Sequence, residues 1–171
     1  MAEFITNSVT ETEKIAEQLG RIVPENAVIA MFGDLGAGKT AFTRGFARGM
    51  GINCDVSSPT FALVNEYRGA HRTLYHFDMY RISGWDDLYS TGYFDYLDAG
   101  GCLIIEWSEN IEAILPETCI RVSISKTENF TERKIEITGA EGIENISVCV
   151  FCKIGKRCRN RRRAIDKRML C

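Results

Sequence analysis

The sequence predicts an α/β fold of three layers, a mainly parallel sheet with helices on both faces and an antiparallel hairpin or extension toward the C-terminus. Three observations carry that expectation. The runs VIAMF (28–32) and LII (103–105) are short and wholly apolar, as in strands buried on both faces. A glycine-rich turn and an amphipathic helical stretch follow the first of them directly. The later runs CIRVSIS (119–125) and RKIEITG (133–139) alternate apolar and polar at period two, which suits half-exposed antiparallel strands.

Taken in order, TETEKIAEQLGRIVP (10–24) reads as a helix. Thr10 and Glu13 have capping-box spacing, Ile15, Leu19 and Ile22 share a face, and Gly20 and Pro24 limit its end. After the first apolar strand, KTAFTRGFARGM (39–50) sets Phe42, Phe46 and Met50 four apart, with Arg44 and Arg48 on another face. FALV (61–64) and TLYHF (73–77) read as strands. WDDLYSTGYFDYL (85–97) starts as a helix that Gly92 interrupts.

A chain of 171 residues suits one domain, able to bury about 70% of the surface of its unfolded chain. We expect one domain over 1–139 and a separate extension over 140–171. No apolar run is long enough to span a membrane, and the polar N-terminus has no signal-peptide pattern. Seven cysteines at irregular spacing do not form a disulfide framework, so a reduced, cytoplasmic protein is expected. Charge is uneven. Residues 1–150 hold 12 basic and 22 acidic side chains, a net of −10, whereas 151–171 hold 9 and 1, a net of +8. The body is therefore no evident nucleic-acid binder.

The segment Gly33, Asp34, Leu35, Gly36, Ala37, Gly38, Lys39, Thr40 fits G-x-x-x-x-G-K-[ST] throughout. Such a loop turns backbone N–H groups toward phosphate oxygens, and the helix after it presents its positive end. In this P-loop reading Lys39 reaches the β- and γ-phosphates and the Thr40 hydroxyl joins Mg²⁺. The ion also needs a carboxylate at the end of a neighbouring strand. Glu106, after the run 103–105, is assigned to the metal shell. Asp78, after 73–77, is either a second metal-shell group or the group that orients the attacking water. Ser58 and Thr60 fall in SSPTF (57–61), where switch-type hydrolases sense the γ-phosphate and where a plain Ser-Pro turn is the simpler reading. No Asn-Lys dipeptide is present to read guanine. Tyr80-Arg81 has no lid-like insertion after it, which leaves a small-molecule kinase as the runner-up. A non-hydrolytic docking switch is the alternative outside enzymes.

GDLGAGKT, SSPTF, YHFDMYR and IIEW followed by ENIEAILP occur in that order within about residues 5–139. In this arrangement the chain is similar to the TsaE (YjeE) family. The resemblance implies a P-loop ATPase required for threonylcarbamoyladenosine on ANN-decoding tRNA. It implies ATP and Mg²⁺ as ligands, and TsaD-type and TsaB-type proteins as partners that perform the transfer. It further implies that Lys39 and Thr40 bind phosphate and Mg²⁺, that Glu106 contributes to the metal site, and that Asp78 is catalytic or metal-linked. Ser58 to Thr60 become the switch-like loop, and Trp107 lies near the nucleotide or in the core. No arginine is self-evidently placed as an internal finger, Arg81 being a candidate, and turnover is expected to be slow without partners. Beyond Gly139 the resemblance ends. Cys149, Cys152, Cys158 and Cys171 lack a full zinc-ligand pattern, and the basic run reads as a solvated extension or an arm toward tRNA phosphates.

Overall fold

The computed structural model describes residues 1–147. A seven-stranded sheet organises it, with β1 (Ala2–Thr6), β2 (Val28–Phe32), β3 (Val64–Arg68), β4 (Thr73–Asp78), β5 (Cys102–Glu106), β6 (Ile120–Lys126) and β7 (Arg133–Thr138). The order across the sheet is β1-β7-β6-β2-β5-β4-β3. The four central strands β6, β2, β5 and β4 run parallel, and antiparallel neighbours finish both edges. The predicted α/β class and the C-terminal hairpin are both present.

Side-chain alternation divides the core into two layers. Ile29 and Met31, Cys102 and Ile104, and Leu74 pack on one face with α1 (Val9–Ile22) and α2 (Lys39–Gly49). Leu103, Ile105 and Phe77 pack on the other with α3 (Trp85–Ser90), α4 (Tyr93–Asp98) and the 3-10 segment Ser108–Ile114. Gly92 adopts a left-handed conformation between α3 and α4, so the expected interruption falls there.

Four local expectations are corrected. The cap of α1 is Ser8, whose Oγ accepts from Glu11 N–H at 3.2 Å while Glu11 accepts from Asn7 N–H at 2.7 Å. Thr10 lies inside the helix, and Glu13 instead receives Arg44 and Arg48 of α2 at 2.6 and 2.8 Å. Gly20 does not end α1. A Cβ there would stand 2.3 Å from the Phe46 carbonyl oxygen, and one on Gly45 2.1 Å from that of Glu13, so the two helices cross backbone to backbone. Ile22 is exposed rather than part of the apolar face. The strand expected at 61–64 begins only at Val64, because Thr60 to Ala62 turn and Leu63 takes φ +67°.

β1 escaped the sequence reading. It is a strand whose Phe4 and Thr6 turn inward, and among the described residues it pairs with β7 alone. Ile143 and Ile146 also join the core beside α1. Among the described residues no helix is long and apolar enough to cross a membrane. The cysteine and basic-arm readings, which concern residues 149–171, fall outside the described residues.

Candidate functional site

The loop between β2 and α2 is built on positive φ values at Gly33 (133°), Gly36 (73°) and Gly38 (111°), which side chains strongly disfavour. Its carbonyls are tied from outside by the mouth of the β6–β7 hairpin. Lys126 donates to Leu35 O at 3.0 Å, and Arg133 donates to Ala37 O at 3.0 Å and to Gly36 O at 3.4 Å. Across a trans peptide the N–H points opposite the carbonyl. Tying Leu35 and Ala37 carbonyls outward therefore turns the Gly36 and Gly38 amides inward, where an anion would sit. The first turn of α2 adds its own unpaired N–H groups and positive end.

Lys39 opens α2 and is only 4% exposed. Its Nζ donates to the carbonyls of Gly33 and Asp34, the latter at 3.1 Å, and lies 3.7 Å from the centre of the Trp107 ring. Burial pulls the ammonium below the usual lysine range, against the opposing pull of Glu106, Glu109, Asp78 and Asp34. Trp107 holds a left-handed φ of 61°, a conformation costing about 1–3 kcal/mol outside glycine, and packs 4.8 Å from Tyr80.

The two carboxylates meet because β4 and β5 are parallel and in register, with Asp78 opposite Glu106. Glu106 follows Cys102 and Ile104 on the face that α2 covers, which brings its Oε1 within 2.8 Å of the Thr40 hydroxyl. The same Oε1 lies 2.9 Å from His76 Nε2. Asp78 Oδ2 accepts from the hydroxyls of Ser58 and Thr60, each at 2.9 Å, and Oδ1 accepts from Tyr80 N–H at 3.0 Å. The Ser-Pro segment is thus latched to a strand-end carboxylate rather than being a free turn.

These groups line one cavity of about 400 Å³, whose wall holds residues 35–41 with Ser58, Thr60, Asp78, Tyr80, Glu106 and Trp107. Gly33 and Asp34 are not in that wall and contribute through the carbonyls that hold Lys39. Arg81 is absent from it as well, and stacks on exposed Phe61 at 5.2 Å. A second groove of about 380 Å³, between Trp85, Leu88 and Ile114, has among the described residues no lysine and no glycine loop in its wall. His76, Tyr80, Lys126 and Arg133 were not named as site residues from sequence. His76 stands two positions before Asp78, so period two places it on the same face. Lys126 and Arg133 contact the loop from more than 90 residues away and carry no local signal.

The cavity suits a Mg²⁺-nucleotide by its donor chemistry. It joins inward amides, a buried lysine, and one hydroxyl already paired with a carboxylate. Among the described residues no group of three or more His, Cys, Asp or Glu could hold a metal unaided. Mg²⁺ commonly takes one or two protein carboxylates and completes its shell with phosphates and water.

Residues 6–135 match the family described as "Threonylcarbamoyl adenosine biosynthesis protein TsaE". The chain belongs to the TsaE family. It is 42% identical over 140 residues to a tRNA threonylcarbamoyladenosine biosynthesis protein TsaE of Haemophilus influenzae, covering 81% of this chain and 87% of that one. A TsaE protein of Bacillus subtilis is 38% identical over 128 residues, covering 75% and 79%. The crystal structure of Bacillus subtilis YdiB superposes with a TM-score of 0.68 at 32% identity, over 85% of this chain and 90% of that one. The TsaE match spans every residue of the cavity wall.

Proposed function

We propose that this member of the TsaE family binds ATP with Mg²⁺ in the 400 Å³ cavity and hydrolyses it in support of threonylcarbamoyladenosine formation on tRNA. Its working partners are TsaD-type and TsaB-type proteins, which carry out the transfer. The observation that most favours this reading is the junction of Thr40 with Glu106 beside a buried Lys39, at the mouth of a glycine-built anion cradle.

In this reading the loop amides and Lys39 hold the β- and γ-phosphates, and Thr40 and Glu106 hold Mg²⁺. Bound Mg²⁺ supplies neutralisation of the charge that gathers on the phosphate oxygens. Asp78 orients the attacking water once its Oδ2 is released from Ser58 and Thr60, so the latch couples the segment at 57–61 to the state of the site. Among the described residues no arginine stands in the cavity wall. A missing arginine finger costs about 10³–10⁵ in rate, which favours slow turnover alone and faster turnover in the assembly.

Phosphate release from ATP should be measured for the full chain alone and with TsaB-type and TsaD-type proteins. Stimulation by the partners and loss of tRNA modification in Lys39→Ala and Asp78→Ala are expected. Fast hydrolysis by the isolated chain would refute the partner dependence. An Asp78→Ala variant that still supports modification would favour a docking switch driven by binding alone, and transfer of phosphate to an acceptor other than water would favour a kinase.

A further inference from the structure

A buried histidine shares a carboxylate oxygen with the phosphate-loop threonine. His76 has no exposed surface, and its Nε2 lies 2.9 Å from Glu106 Oε1, which also accepts from Thr40 at 2.8 Å. Its other ring nitrogen, Nδ1, is buried with no hydrogen-bond partner among the described residues. Burying an imidazole with one nitrogen unsatisfied is unfavourable. Packing alone would suit an apolar side chain there, as at Leu74 two residues earlier on the same face. The polar ring is explained by what Nε2 does for Glu106.

A buried N–H without an acceptor is worse placed than a buried lone pair, so the ring hydrogen belongs on Nε2 and is donated to Oε1. Two donors, His76 and Thr40, then fix Oε1. Oε2 accepts no hydrogen bond from the described residues, in contrast with Asp78, both of whose oxygens are engaged. Thr40 has a single hydroxyl hydrogen, and donating it to Oε1 leaves its lone pairs for a cation. The terminal torsion of a glutamate is soft, so without His76 the carboxylate could turn and present either oxygen to Thr40. The Tyr67 ring, 6.3 Å from the imidazole, packs beside it.

We propose that His76 is a positioning residue for the divalent cation: by holding Oε1 it reserves Oε2 of Glu106 for Mg²⁺ or one of its waters. The inference rests on the Mg²⁺-nucleotide reading of the cavity. It assigns the histidine no contact with nucleotide. Its effect belongs to the metal-dependent part of binding alone, as for a partner that orients a metal ligand from behind.

The test is ADP binding by calorimetry on the full chain, without metal and across a Mg²⁺ titration, for wild type, His76→Gln and His76→Phe. Metal-free ADP affinity should stay within about twofold in both variants. The Mg²⁺ concentration for half-maximal effect should rise about tenfold or more in His76→Phe, and less in His76→Gln, whose amide can still donate to Oε1. An unchanged Mg²⁺ dependence in His76→Phe overturns the proposal, as does an equal loss of metal-free affinity. A wild type that binds no ADP at all would instead remove the nucleotide reading underneath. Should His76→Phe fail to fold, ¹H–¹⁵N spectra of the wild type decide. The chain has two histidines, and His71 is exposed, so their signals separate readily. A hydrogen on Nε2 is expected, and one on Nδ1 in its place overturns the assignment.

Discussion

Asp78 and Glu106 lie side by side at the ends of two parallel strands, yet their surroundings give them opposite roles. Asp78 accepts three hydrogen bonds from the segment at 57–61 and its own following turn. Glu106 accepts two on one oxygen, from the phosphate-loop helix and from His76. One carboxylate holds a loop and the other holds the Thr40 hydroxyl.

The pair should separate in kinetics. Asp78→Asn is expected to lower kcat for ATP hydrolysis by about 10²–10⁴-fold, the range for loss of a positioned acid–base group, with little change in ADP affinity. Glu106→Gln should chiefly weaken Mg²⁺-dependent binding. Steady-state kinetics beside a Mg²⁺ titration distinguishes them, and identical profiles for the two variants would contradict the division.

Lys39 links binding to pH. Burial depresses its pKa in the ligand-free protein, so the free fold gains from this group as pH rises through the depressed value. Phosphate oxygens in the cradle would raise the pKa again. Nucleotide binding should therefore take up protons, and affinity should fall, as the solution becomes alkaline. Calorimetry in buffers of different ionisation enthalpy measures the uptake, which should vanish in Lys39→Met.

The α1–α2 crossing should govern stability. Gly45→Ala drives a Cβ against the Glu13 carbonyl and is expected to cost about 3 kcal/mol. Burial alone would raise the Glu13 carboxyl, but hydrogen bonds from Arg48 and Arg44 outweigh it and hold the pKa low. That contribution is present above the unfolded carboxylate pKa and lost as pH falls through the lowered folded one. Arg44 and Arg48 are 42% and 38% exposed, so solvent screening limits Glu13→Gln to about 1 kcal/mol or less. Denaturant melts near pH 7 should resolve both effects, and the Glu13→Gln difference should fade in acid.

Much of this was legible in the chain. The two wholly apolar runs became β2 and β5, and the alternating pair became the β6–β7 hairpin. The loop at 33–40 was readable because its conformation depends on its own glycines and on the strand and helix beside it. Errors fell where two local patterns compete. Ser8 with Glu11 and Thr10 with Glu13 both fit a capping box, and the arginines of α2 engage Glu13. Phe61 looked like a strand residue, but the hydroxyls of Ser58 and Thr60 hold its segment to Asp78, and the residue is 90% exposed.

By itself, the sequence determined the fold class, the glycine-rich loop at 33–40 and two strand-end carboxylates, since these are written in contiguous residues with fixed periodicity. The tertiary structure alone decided that Glu106 meets Thr40 and His76, that Asp78 latches Ser58 and Thr60, and that Lys126 and Arg133 hold the loop from behind. The physical reason is that each of these contacts joins a side chain to a different segment of the chain. Strand order and register bring them within 3 Å, and no local pattern encodes that order.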